Sequence, residues 1–157
     1  MRLTAYADYA LRVLMYVGLK EPSLATIREI SESYDISRNH LMKVVHQLGL
    51  LGYLENVRGK GGGVRLARPP SGINIGEVIC QVENDLALVQ CFNSAAPRCR
   101  IEPACMLKPI LGEARTAFVS VLERHTLADL IAPQQHLKHL LHQGHREASV
   151  PSMESAS

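Results

Sequence analysis

A chain of 157 residues, 46% hydrophobic and 20% charged, has the balance of a soluble globular protein with one domain, or one small domain and an appended element. No run approaches the ~20 consecutive apolar residues that span a bilayer. The start, Met1-Arg2-Leu3-Thr4-Ala5-Tyr6-Ala7-Asp8, has no apolar signal core and points away from secretion, towards the cytoplasm. In that compartment disulfides are uncommon, and clustered cysteines more often ligate metal or do redox chemistry.

The net charge of +2 is unevenly spread. Residues 1–70 hold ten Lys/Arg against six Asp/Glu, whereas residues 71–157 hold seven against nine. Between Ile36 and Arg68 the only acid is Glu55, against six basic residues. A basic first half beside a mildly acidic second half suits a nucleic-acid-binding domain with an attached control region.

In chain order, Ala7, Ala10, Leu11, Leu14 and Val17 recur at the spacing of one buried face and predict a helix over 4–20. Asp8 and Arg12 lie off that stripe, four apart, as an exposed ion pair would. After the break at Glu21-Pro22-Ser23, Thr26-Ile27-Arg28-Glu29 has capping-box form and opens a short helix with Ile27 and Ile30 inward. Asp35-Ile36 makes a tight connection, and Ser37 is placed to cap the next helix. That helix turns Leu41, Val44, Val45 and Leu48 inward and leaves Arg38, Asn39, Met42, Lys43 and His46 outward. Two helices joined by a short turn, the second polar and basic outside, form the helix-turn-helix pattern.

Residues 52–58 and 63–68 then alternate as two strands around the glycine turn Gly59-Lys60-Gly61-Gly62. A hairpin directly after a recognition helix is a wing. Its glycines let the tip approach a phosphate backbone, and Arg58, Lys60, Arg65 and Arg68 supply charge for counterion release. The expected DNA contacts are Thr26, Ser37, Arg38, Asn39, His40, Lys43, Arg58, Lys60 and Arg65.

Pro69-Pro70 closes this winged unit over residues 1–70. Asn74 is placed to cap a helix to about Glu83, with Ile75, Val78, Ile79 and Val82 on one side and Cys80 turned away. From about Ala104 to His125 a longer helix carries Leu107, Ile110, Leu111, Ala114, Ala117, Phe118, Val121 and Leu122 on a broad apolar face. At ~1.5 Å per residue it is roughly 30 Å long, and its natural use is packing against a second copy of itself. Thr126-Leu127-Ala128-Asp129 caps a last short helix. The control region is thus expected over 71–131. A flexible tail is expected over 132–157, where His136, His139, His142 and His145 belong to a frayed terminus. The fold class is mainly α with a small β-hairpin: a winged helix-turn-helix, a cysteine-bearing loop and a dimerisation helix.

That loop holds Cys91, Cys99 and Cys105 within fifteen residues, separated by seven and then five. Structural zinc sites typically begin with a close cysteine pair, absent here. A catalytic thiol needs a neighbouring base, and no His lies between Cys91 and His125, so no enzyme is expected. An iron–sulfur cluster is wider, and thiolates spread along a loop can wrap it. Three thiolates leave one iron site to be filled from elsewhere. A small electron-transfer protein would use the same cysteines without needing a basic helix and wing.

Several separate motifs carry a family resemblance: Leu3-Thr4 and Asp8-Tyr9-Ala10-Leu11-Arg12; Ser37-Arg38-Asn39-His40-Leu41 with Lys43-Val44-Val45 and Gln47-Leu48; Val57 to Ala67 in the wing; the three cysteines; and Thr126-Leu127-Ala128-Asp129-Leu130. Over residues 1–131 the chain resembles the NsrR family of nitric-oxide-sensing iron–sulfur repressors, sister to the cluster-biogenesis regulator IscR. The resemblance implies a homodimer on an A·T-rich inverted-repeat operator while its cluster is intact, 4Fe–4S or alternatively 2Fe–2S. It implies nitric oxide as the signal that nitrosylates the cluster and releases detoxification genes, and Asp8 of the partner subunit as fourth ligand beside Cys91, Cys99 and Cys105. The sister family places a His shortly after the third cysteine, where this chain has Leu107 and Lys108. Within the same fold, an iron- or redox-responsive regulator is the alternative.

Overall fold

In the computed structural model, described over residues 3–83, 86, 88–92 and 99–147, Thr4 starts the first helix, α1 (Ala5–Lys20). Its hydroxyl accepts the Ala7 N–H at 3.2 Å. Its own N–H and hydroxyl donate to Glu83 Oε1 at 2.7 and 3.1 Å. Glu83 is only 9% exposed, so the start of α1 is tied to the end of a helix about eighty residues later. α1 buries Ala7, Ala10, Val13, Leu14, Val17, Gly18 and Leu19. Val13 was not expected inside, and Leu11 is only partly buried. α1 packs against several elements at once, which widens its apolar stripe beyond one face.

α2 (Ile27–Tyr34) begins with the predicted capping box: Thr26 and Glu29 each take the other's backbone N–H, at 2.8 and 3.2 Å. It ends at Asp35, whose φ of 53° is left-handed, a conformation that Asp tolerates better than most residues. Ser31 locks the turn by donating to the Ile36 carbonyl at 2.6 Å. α3 (Arg38–Leu50) buries Leu41, Val44, Val45 and Leu48 as predicted. Ser37 stands at its cap position but makes no side-chain capping bond.

β1 (Leu54–Val57) and β2 (Gly63–Leu66) pair antiparallel, Leu54 opposite Leu66 and Val57 opposite Gly63. In the turn Gly59 and Gly61 adopt φ of 104° and 80°, which side chains with a Cβ rarely tolerate. The hairpin is anchored by Ala25, which exchanges two backbone bonds with Val64 at 3.0 and 2.8 Å.

α4 (Ile75–Val82) starts at Asn74, whose carboxamide accepts the Glu77 N–H at 3.1 Å. α5 (Leu107–Glu123) starts later than predicted. Pro103 and its neighbours form a separate 3₁₀ turn, Glu102–Ala104, which ends before the α-helix begins. α5 crosses α4 at Gly76, where a Cβ would lie 2.8 Å from the Glu123 backbone N. α6 (Leu127–Ile131) buries Leu127 and Ile131 in the core that α1, α3, β2 and α4 share.

The tail differs from expectation. Residues 134–147 form α7 (Gln134–Glu147), which packs on α2 through Leu137 and Leu141. Its sequence is polar and histidine-rich, so the helix rests on that tertiary contact and not on a long apolar stripe.

Candidate nucleic-acid interface and cysteine loop

Because the core takes Leu41, Val44 and Leu48, the 3.6-residue period leaves Arg38, Asn39, Met42, Lys43 and His46 of α3 exposed. His40 is also exposed and stacks on Tyr9 of α1, with ring centroids 6.2 Å apart. Tyr6 of α1 donates its hydroxyl to the Lys43 carbonyl at 3.3 Å, so α1 braces α3 at two points. Arg38 lies 3.6 Å from Glu32, a carboxylate that also accepts from Arg28.

In the wing Arg58 and Lys60 are exposed on the turn and carry no ion pair among the described residues. Arg65 faces Glu55 across the hairpin and pairs with it at 2.9 Å. The Arg65 hydrogen bond and charge hold the Glu55 carboxyl below its ordinary value. Arg68 is engaged within the fold instead. It lies over the buried Tyr53 ring, 4.6 Å from the centroid, and donates to the Gly52 carbonyl at 3.4 Å. Thr26 is half-buried, and its side chain is occupied by the capping box.

The cysteine loop runs into α5. Cys91 sits in the 3₁₀ turn Gln90–Phe92, and Arg115 of α5 lies over the Phe92 ring at 5.2 Å. Glu102 organises the other two cysteines. Its N–H donates to the Cys99 carbonyl at 3.1 Å, and its carbonyl accepts the Cys105 N–H at 3.3 Å. Its carboxylate accepts from Lys108 Nζ at 2.6 Å, across to the first turn of α5. Glu102 first, and then the charges of Cys91 and Cys105, raise the Lys108 pKa above that of ordinary lysine. All four cysteines are free thiols, and Cys80 is exposed on α4.

Among the described residues no three His, Cys, Asp or Glu side chains are gathered closely enough to hold one metal ion. Within the single chain Asp8 pairs with Arg12 at 3.0 Å, and Arg12 in turn lies over Tyr34 at 5.6 Å. The donor set nevertheless fits an iron–sulfur group: three unbridged thiols within one stretch of fifteen residues. Nothing in the sequence pattern singles out Glu102, and Lys108 stands out there only as occupying the place of the sister family's His.

A helix-turn-helix with an exposed basic second helix, followed by a cation-tipped hairpin and a thiol-bearing stretch, defines a winged-helix transcriptional regulator. The chain belongs to the Rrf2 family, whose description is iron-dependent transcriptional regulator and whose family model matches residues 3–133. It is 49% identical over 142 residues to the HTH-type transcriptional regulator NsrR of Bacillus licheniformis, covering 90% of this chain and 99% of that one. It is 47% identical, with 90% and 97% covered, to NsrR of Bacillus subtilis. In fold it is similar to CymR, the global cysteine regulator of B. subtilis, with a TM-score of 0.69 at 23% identity, covering 84% of this chain and 97% of that one. It is likewise similar to T. potens IscR, with a TM-score of 0.68 at 19% identity, covering 99% and 94%. These relatives set aside the electron-transfer reading, and the chain is a regulator and not an enzyme.

Proposed function

We propose that this chain is a nitric-oxide-responsive repressor whose homodimer binds an A·T-rich inverted-repeat operator in the cytoplasm. The observation that carries the reading is the loop of three free thiols leading into a helix that buries no residue within its own chain. α5 exposes Leu107 and Ile110 at 58% each and Val121 at 46%, an apolar surface that a second α5 would cover. No described helix is long and apolar enough to cross a membrane, so a second copy is the natural occupant of that face.

Cys91, Cys99 and Cys105 would hold an iron–sulfur cluster, 4Fe–4S before 2Fe–2S, with Asp8 of the partner subunit completing it. The cluster supplies iron that reacts with nitric oxide. A carboxylate is a more easily displaced iron ligand than a thiolate, and Asp8 already has Arg12 as an alternative partner. α1, which carries Asp8, also braces α3 through Tyr6 and Tyr9. A change at Asp8 therefore reaches the exposed Arg38, Asn39, His40 and Lys43. On this reading residues 1–70 contact DNA, with α3 reading base edges and Arg58, Lys60 and Arg65 meeting phosphates. Thr26 and Ser37, at the starts of α2 and α3, would on the same reading meet backbone phosphates. Residues 71–131 hold the cluster and the dimer contact.

The test is anaerobic purification followed by operator binding. The protein should be brown, and nitric oxide should abolish both its visible spectrum and its operator binding. A colourless protein with zinc would overturn the cluster reading. Operator binding that ignores nitric oxide but follows iron supply would favour an iron-responsive regulator, which the family description keeps as second reading.

A further inference from the structure

We infer that the cavity between α1, α2 and α7 is a binding site for a small amphipathic carboxylate, an acid group carried on a short apolar chain. The inference is independent of the cluster reading and uses none of the cysteines.

α7 lies beyond residue 133, where the family match ends, and it supplies one wall of the site. Where it packs on α2, beside the end of α1, a cavity of about 420 Å³ is left, within the range of ~300–1,000 Å³ of small-molecule sites. Tyr16 and Leu19 of α1 and Leu141 of α7 give it an apolar lining. Leu19 is only 3% exposed, and Leu141 is half-buried against the core.

The polar groups at this cavity do not cancel. Lys20 and Glu29 are paired with each other. Glu29 also accepts from the Thr26 N–H and hydroxyl at 2.8 and 2.9 Å, so its carboxylate is fully engaged within the fold. Lys138 and His142 complete the lining. They stand four apart on α7, hence on one face, and both are exposed with no ion pair among the described residues. The charge left over is therefore one ammonium, beside an imidazole that can donate a hydrogen bond. An apolar wall with an uncompensated cation at its edge suits an anion with an apolar body and disfavours a cation of the same shape. A carboxylate has two oxygens, one for Lys138 and one for His142. A ligand held there joins α7 to α1 and α2, and so acts on the first helix of the helix-turn-helix.

The experiment is a titration of the full-length, isotope-labelled protein with hexanoate, followed by heteronuclear NMR. Hexanoate should bind saturably, with a dissociation constant on the order of 1 mM, and shift the amide signals of Tyr16, Leu19, Glu29 and Leu141. Acetate lacks the apolar chain, 1-hexanol lacks the charge and hexylamine reverses it, so each should bind about tenfold more weakly or worse. Lys138→Gln, an exposed substitution, should weaken hexanoate by about tenfold, whereas Lys138→Arg should keep most of the affinity. Absence of saturable binding overturns the inference. So do equal binding of 1-hexanol or hexylamine, shifts confined to the exposed apolar face of α5, and an unchanged affinity in Lys138→Gln.

Discussion

The crossing of α4 and α5 offers a test in which two opposing effects can be weighed. Gly76 lies inside α4, where alanine is intrinsically better than glycine by about 1 kcal/mol. Its backbone is ordinary, so Gly76→Ala would be stabilising if the site had room. It does not. A Cβ there would sit 2.5 Å from Glu123 Cγ, 2.8 Å from Glu123 N and 3.0 Å from Glu123 Cα. The side-chain contact can be relieved by rotation, but the two backbone contacts cannot. α5 would have to retreat by roughly half an ångström to restore ordinary van der Waals separation.

That retreat would stretch three hydrogen bonds at the same crossing. Ile75 N–H to the His125 carbonyl is 3.0 Å, Leu127 N–H to the Ile73 carbonyl is 2.8 Å, and Asn74 Nδ2 to the Glu123 carbonyl is 2.6 Å. Overpacking of this kind costs about 1–3 kcal/mol, and more where backbone must move. Because the contacts here are with backbone, the upper part of that range, about 2–3 kcal/mol, applies, and against a gain of about 1 kcal/mol it leaves a net loss of about 1–2 kcal/mol. Urea unfolding of cluster-free Gly76→Ala and wild type, followed by circular dichroism at one protein concentration, measures it. A variant as stable as wild type, or more so, would refute the claim that this glycine sets the α4–α5 distance.

Replacing Cys99 with Ala should abolish the visible spectrum while leaving the unfolding midpoint within about 0.5 kcal/mol, because Cys99 is exposed; retained colour would remove it from the ligand set. Lys60→Gln should weaken binding to all DNA sequences alike and flatten the log–log salt slope by about one. Arg38→Ala should in addition relax base preference, and identical behaviour of the two variants would refute the division between phosphate and base contacts. Burial pushes the Glu29 carboxyl up, but hydrogen bonds from Lys20 and Thr26 outweigh it and leave the pKa lowered. A depressed folded pKa gives stability that is present above the unfolded value and lost as pH falls through the folded one. Glu29→Gln should therefore cost up to about 1 kcal/mol at neutral pH, as lost caps do, and progressively less below about pH 4.3. A deficit that is equal at pH 7 and pH 3 would show that the charge contributes nothing.

Much of the DNA-binding half was legible because its signals are local. Thr26 and Glu29 satisfy orphan helix donors three residues apart, and Leu41, Val44, Val45 and Leu48 mark one helix face at a 3.6-residue period. Gly59 and Gly61 permit a turn that other residues would strain. The three cysteines announced themselves by number and spacing. Each of these depends on neighbours within a few residues, so linear order is enough to reveal it.

Other features depend on which surfaces meet, and only the tertiary structure decided them. Arg68 looked like one more wing cation until Tyr53 gave it an aromatic face to cover. Arg65 looked free until hairpin register set Glu55 opposite it. Val13 is buried because α1 is packed on more than one side, and α7 forms because α2 lends it an apolar surface. Lys108 gained Glu102 as its partner only when the 3₁₀ turn Glu102–Ala104 brought that carboxylate to the first turn of α5. A sequence fixes which groups can donate, accept, charge or bury. Which of them spend that capacity on one another is set by long-range packing, where contacts many residues apart compete for the same side chain.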